Sequence, residues 1–163
     1  MKDLHSKEKV WNSLKNVKDP EIPTLSLVDM GIIRELNIKG DSVEVIITPT
    51  FVGCPAIEMM KDEIQSTLFS LGFQRVDVRV SFSYQWNSDM INEEGRKSLL
   101  EFGLAPPPQQ QLIEDIDILE KIPCPACMGT NTELRNSFGP TLCRSIHYCN
   151  DCKEAFQQFK PVN

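Results

Sequence analysis

Two Cys-x-x-Cys pairs, Cys124-Pro125-Ala126-Cys127 and Cys149-Asn150-Asp151-Cys152, stand 21 residues apart in the last quarter of a 163-residue chain. Each pair turns two thiolates toward one ion, and two pairs complete the closed tetrahedron of a structural zinc site, which leaves no open position for a substrate. Residues 121–163 carry too little apolar mass to fold unaided, so a bound metal would supply folding free energy. Spacing alone does not separate zinc from iron in a rubredoxin-like site, and free or disulfide-bonded thiols are a third reading. Cys143 and His147 lie close enough to the second pair that either could replace a proposed ligand; otherwise Cys143 packs beside the metal and His147 is an ordinary loop residue. Gly139-Pro140 marks a turn between the pairs, as in a ribbon of hairpins, whereas Met128-Gly129 departs from a knuckle with glycine directly after its second cysteine.

The sixth cysteine, Cys54, stands alone. Met1-Lys2-Asp3-Leu4-His5-Ser6 lacks the apolar core of a signal peptide, and no apolar run approaches the ~20 residues of a membrane helix. The expected setting is therefore cytoplasmic and away from membranes, where cysteines serve as metal ligands or reactive thiols rather than disulfides. A net charge of -6 repels a phosphate backbone and argues against nucleic acid as partner.

Charge also divides the chain. Residues 101–120 hold five acids and no base, whereas residues 121–163 hold five bases and three acids. Pro106-Pro107-Pro108-Gln109-Gln110-Gln111 favours an extended conformation and cannot pack a core. The expected organisation is a first domain over 1–105, an acidic Pro/Gln-rich linker over 106–120 and a zinc ribbon over 121–163. Within the linker, Leu112 to Leu119 reads as either a strand or a short helix.

In the first domain Val10, Trp11, Leu14 and Val17 recur at helical spacing over residues 4–17, until Asp19-Pro20-Glu21-Ile22-Pro23 stops the helix. Ile32–Ile38 and Val43–Thr48 are rich in β-branched residues and flank Lys39-Gly40-Asp41-Ser42, which predicts a hairpin. Ile57, Met60, Ile64, Leu68 and Leu71 mark a second helix closed by Gly72, in which Met59 and Met60 serve packing. Val76, Val78, Val80 and Phe82 alternate with polar residues as in a half-buried strand. A last helix is expected from Ser88 or Asp89 to Phe102, ended by Gly103. The order α-β-β-α-β-α predicts an α/β (α+β) fold: a small three-stranded sheet with helices on one face, plus the ribbon.

Cys54 precedes Pro55 at the expected start of the second helix, where unpaired amides and the positive dipole end lower a thiol's pKa. Gly53 would let the backbone bend or a ligand approach. This makes Cys54 a candidate reactive or metal-binding thiol, the alternative being a small buried residue capping the helix. Asp19, Glu21 and Asp29 have the same double reading, as functional acids or as turn formers beside proline.

The segments Asp19-Pro20-Glu21-Ile22-Pro23, Ser26-Leu27-Val28-Asp29-Met30-Gly31-Ile32-Ile33 and Thr48-Pro49-Thr50 with Gly53-Cys54-Pro55-Ala56 together resemble the SufT-like iron–sulfur assembly family, over residues 5–105. With the four-cysteine tail ending Cys152-Lys153-Glu154-Ala155-Phe156-Gln157-Gln158-Phe159-Lys160, the combination is similar to the PaaD family of phenylacetate degradation. Ala155 stands where related tails often have proline. The resemblance implies an accessory protein, not an enzyme, that matures or supports the iron–sulfur reductase component of the phenylacetyl-CoA epoxidase complex. The family's motif cysteine maps to Cys54 and its motif acid to Asp19, with Thr48 and Thr50 on the loop around the cysteine.

Three functions follow as expectations. In the first, Cys54 is a transient iron–sulfur ligand with Asp19 and Thr50 beside it, and the partners are the reductase and the iron–sulfur assembly machinery. One thiolate cannot hold a cluster that takes four protein ligands, so a second protomer, a small thiol or the client supplies the others, and a homodimer is expected. In the second, Cys54 is an enzyme's nucleophile, but the only histidines, His5 and His147, fall outside the matched motifs. In the third, the ribbon is a protein-binding module built on Arg135, Arg144, Lys153 and Lys160 with Phe138, Tyr148, Phe156 and Phe159.

Overall fold

The computed structural model describes residues 6–109 and 121–162. His5 and the Leu112–Leu119 segment lie outside the described residues, as does most of the expected linker. The chain divides into two compact units, residues 1–86 and 87–163.

The first unit opens with helix α1 (Lys7–Leu14), whose N-cap Ser6 accepts a hydrogen bond from the Lys9 amide at 3.4 Å. Val10 and Leu14 are its buried stripe. The helix stops three residues earlier than its apolar spacing predicts, because Val17 turns to give its carbonyl to the Leu27 amide, 3.0 Å away. Strands β1 (Ile33–Lys39) and β2 (Ser42–Ile47) form the expected antiparallel hairpin, closed by Lys39 opposite Ser42 across a turn in which Gly40 has φ 57°. Val43, Val45 and Ile47 point into the core and alternate with half-buried Ser42, Glu44 and Ile46.

Helix α2 (Ile57–Ser70) buries Met60, Ile64 and Leu68, one residue per turn on a single face. Strand β3 (Arg75–Val80) follows and pairs parallel to β2, giving a three-stranded sheet in the order β1-β2-β3. Both helices pack against this sheet and each other. Beyond the core, Arg79 forms ion pairs with Asp77 at 2.6 Å and Glu44 at 3.2 Å.

The second unit begins with two short helical pieces where the sequence predicts one. A 3-10 turn, Ser88–Met90, precedes helix α3 (Glu93–Glu101). The break has a local cause: Asn92 takes an extended backbone and its side chain caps the Gly95 amide at 2.8 Å, starting a new helix. Strands β4 (Leu104–Ala105), β5 (Thr132–Asn136), β6 (Arg144–Cys149) and β7 (Ala155–Phe159) form a sheet in the order β4-β7-β6-β5. The β5-β6 and β6-β7 pairs are antiparallel, whereas β4 lies parallel to β7.

Residues 87–105, which the sequence reading joins to the first domain, thus belong with the ribbon. Ala105 is fully buried in one cluster with Ile122, Cys124, Cys149 and Phe156. Near the chain's end, the Ser88 amide donates to the Val162 carbonyl at 3.0 Å.

Candidate functional site

The four cysteines of the two pairs converge in the second unit. Their sulfurs all lie within 4.8 Å of one another, with Cys124–Cys152 at 3.7 Å and Cys127–Cys149 at 3.6 Å. A tetrahedron with metal–sulfur bonds of about 2.3 Å has sulfur–sulfur edges of roughly 3.8 Å, so the donor set fits a tetrahedral thiophilic ion such as zinc. Cys124 and Cys149 are buried, Cys152 is partly so and Cys127 is exposed.

Both knuckles repeat one backbone pattern. The Cys124 amide donates to the Gly129 carbonyl at 2.9 Å, and the Met128 amide returns to the Cys124 carbonyl at 2.7 Å. In the second, the Cys149 amide donates to the Glu154 carbonyl at 2.9 Å and the Lys153 amide to the Cys149 carbonyl at 3.0 Å. Closing each turn puts its fifth residue in the left-handed region, with φ 60° at Met128 and 63° at Lys153. The missing glycine after Cys127 is therefore no obstacle: Met128 takes the glycine's conformation itself. Gly129 sits one place further on, where a Cβ would fall 2.5 Å from Asp151 Oδ2 and 3.2 Å from Cys127 Sγ, so a side chain there would have to displace the exposed Asp151 carboxylate and crowd the sulfur.

The electrostatics also favour a cation. The Cys152 and Asp151 amides hold the Cys149 thiol down to about 7. Cys152 is pushed up to about 12: the Glu154 amide favours its thiolate, but burial and the neighbouring sulfurs outweigh it. Sulfurs this close cannot all ionise together unless a positive charge sits among them.

Cys143 and His147 do not join this cluster. Cys143 Sγ lies 3.1 Å from Thr141 Oγ1, and its carbonyl accepts the Lys160 amide at 2.8 Å. His147 is no loop residue but a buried member of β6, stacked on Phe156 at 5.4 Å with Nε2 3.0 Å from Ser145 Oγ. Burial pushes its pKa below the usual range, with the Gln158 side chain opposing, so it is a neutral core imidazole.

Two of the other candidates, Thr50 and Cys54, lie on the loop that leaves β2. Because β2 and β3 run parallel, the loops leaving both emerge at the same end, the usual place for sites in α/β folds. Antiparallel β1 begins there, and the Thr48 amide donates to the Ile32 carbonyl at 2.9 Å. Thr48 Oγ1 donates to the Ser81 carbonyl at 3.0 Å, tying the β2 and β3 exits together. Trp86 adds a tie with no sequence signal, its Nε1 donating to the Met30 carbonyl at 3.0 Å.

Cys54 is partly exposed on the β2–α2 loop. The helix starts later than the sequence suggests: Ala56 is the N-cap and Ile57 the first helical residue. Cys54 instead opens a turn, its carbonyl accepting the Ile57 amide at 3.3 Å, with Pro55 inside that turn rather than at the first helical position. Gly53 has φ 83° with nothing near an added Cβ, so backbone conformation alone calls for glycine there. Thr50 is buried. Asp19 is buried as well, and its Oδ1 accepts the Glu21 and Ile22 amides at 2.8 and 3.0 Å, so the turn-forming role of this acid is realised. Among the described residues no helix is long and apolar enough to cross a membrane.

The two units are thus a three-stranded sheet backed by two helices and a β-ribbon whose four cysteines could hold one metal ion, and each unit matches a known family. Residues 7–82 match the family described as "Iron-sulfur cluster assembly protein", and residues 109–160 match the "PaaD zinc beta ribbon domain". Over 153 residues the chain is 32% identical to an Escherichia coli K12 protein named as one subunit of a "Putative 1,2-phenylacetyl-CoA epoxidase", covering 94% of this chain and 92% of that one. The chain belongs to this PaaD family. It is also 32% identical over 102 residues to an "Fe-S protein maturation auxiliary factor" of Porphyromonas gingivalis, covering 61% of this chain and 93% of the relative. A crystal structure of a domain of unknown function from Bacillus anthracis shares the fold at a TM-score of 0.53 and 19% identity, over 56% of this chain and 89% of that one.

Proposed function

We propose that this protein is a non-catalytic factor that presents Cys54 as a transient ligand to an iron–sulfur cluster and passes the cluster to the reductase component of a phenylacetyl-CoA epoxidase complex. The observation that carries the reading is the separation of the sulfurs: four are committed to one another in the second unit, while Cys54 stands partly exposed on a loop of the first. A complete cysteine cage retains its ion, and a single thiolate holds cargo only while another molecule supplies further ligands. In this reading the quartet Cys124, Cys127, Cys149 and Cys152 holds structural zinc. Asp19 and Thr50 shape the loops beside Cys54, and a second protomer completes the ligand set before the client takes over. The names of the relatives, one an epoxidase subunit and one a maturation factor, point the same way.

Anaerobic purification of wild type beside Cys54→Ser, with zinc, iron and sulfide analysis, tests this. Zinc is expected in both and iron in wild type alone, and the variant is expected to leave the reductase unmatured in cells. A Cys54→Ser protein that matures the reductase as well as wild type overturns the reading.

A further inference from the structure

The second unit carries a cleft of about 590 Å³, a volume in the range of small-molecule sites. Its lining includes Phe102 where α3 ends, Pro125 and Ala126 between the first pair of cysteines, and Ile146 and Ala155 on β6 and β7. These side chains are all apolar, yet a cation is sunk among them. Arg144, the first residue of β6, is only 8% exposed. Its Nη1 donates to Gln157 Oε1 at 3.2 Å and its Cζ lies 5.8 Å from the centre of the Phe102 ring, and all three residues line the cleft. Arg135, over the Tyr148 ring at 5.1 Å, shows the ordinary surface arrangement by contrast: it is exposed, paired with Glu133 and outside the cleft.

We propose that this cleft binds a small apolar monocarboxylic acid, its carboxylate on the Arg144 guanidinium and its hydrocarbon part against Phe102, Ile146 and Ala155. A guanidinium keeps its charge in proteins and offers paired N–H donors that match the two oxygens of a carboxylate. Away from bulk water such bonds are stronger than on an open surface. The apolar lining adds what the anchor alone lacks, hydrocarbon area removed from water. Glu154, the one acid among the described residues that line the cleft, is exposed, so a second carboxylate on the ligand would meet like charge at the mouth. One acid group on an apolar body is therefore the fit. Every lining residue belongs to the second unit, which leaves the site independent of Cys54.

The test is a nuclear magnetic resonance titration of the full zinc-loaded chain with three probes: octanoate, octanamide, which keeps the hydrocarbon without the charge, and acetate, which keeps the charge without the hydrocarbon. Octanoate is expected to saturate one site, with the largest shifts at the Gly103 and Ala155 amides and the Gln157 side-chain amide. Octanamide and acetate are each expected to bind at least about 10-fold more weakly. Arg144→Gln is expected to weaken octanoate at least about 10-fold and to leave octanamide unchanged. A folded Arg144→Gln protein that loses both probes alike would show that Arg144 only shapes the cleft, and would overturn the proposal. Ala155→Trp, a change at an exposed position that fills the cleft, is expected to abolish octanoate binding with zinc content and circular dichroism unchanged. Arg135→Gln is expected to bind octanoate as wild type does. Wild-type protein that binds octanoate no more tightly than octanamide, or shifts only outside the cleft, overturns the proposal even where the Arg144 variant folds poorly.

Discussion

The two metal knuckles store backbone strain at known positions, and releasing it should stabilise the ribbon. Met128 and Lys153 sit at φ 60° and 63°, where a residue with a Cβ is disfavoured by about 1–2 kcal/mol and glycine is not. Against that gain stands the extra freedom glycine gives the unfolded chain, about 0.5–1 kcal/mol. Met128→Gly should therefore stabilise the second unit by about 0.5–1 kcal/mol, since a side chain 62% exposed gives up little packing. For a unit of this size that is a rise in Tm of roughly 3–6 °C. Lys153, also exposed, should respond in the same way. The assay is a thermal melt of the metal-loaded protein, with Met128→Ala as control because alanine removes the long side chain but keeps the Cβ. A Met128→Gly protein no more stable than Met128→Ala would refute the strain argument.

Cys149→Ser should abolish metal retention and unfold the ribbon while the helix signal of α1 and α2 persists; metal analysis and circular dichroism decide, and loss of that signal throughout the chain would show that the first unit depends on the ribbon. Asp19→Ala removes an acceptor from two backbone amides and should cost about 2–3 kcal/mol in urea unfolding, with Asp19→Asn recovering part of it because the amide oxygen still accepts. The Tyr84 phenol is held above its usual range, first by its hydrogen bond to Glu35 and then by that carboxylate's charge. The folded protein therefore keeps this proton longer than the unfolded chain, and the resulting stability is lost as pH rises through the phenol's folded pKa. Ultraviolet difference titration should find a late-ionising tyrosine that returns toward about 10 in Glu35→Gln.

Features fixed by near neighbours were legible in the sequence. Lys39-Gly40-Asp41-Ser42 closes its hairpin through a local turn, and Met60, Ile64 and Leu68 share one face whatever packs against it. The quartet was legible because cysteine pairs at such spacing have few other uses. What stayed hidden depends on distant contacts or on residues with two local meanings. Nothing within β2 or β3 announces that they run parallel, and a two-residue strand such as β4 has no period to detect. Asn92 fits a helix interior weakly and an N-cap well, and the second role split the expected helix. For the same reason Pro55 read as the first helical residue, although Cys54-Pro55-Ala56 forms a separate turn before the helix.

Strand β4 gives the ribbon a discontinuous origin. A protein engineer who lifts the cysteine segment from residue 121 onward removes Leu104 and Ala105 from the edge of β7 and Ser88 from its bond to Val162. Such a graft would carry every metal ligand and still expose one flank of its sheet. The compact unit that holds the quartet starts at residue 87, so a graft that keeps both contacts takes 77 residues, where the segment from residue 121 onward has 43.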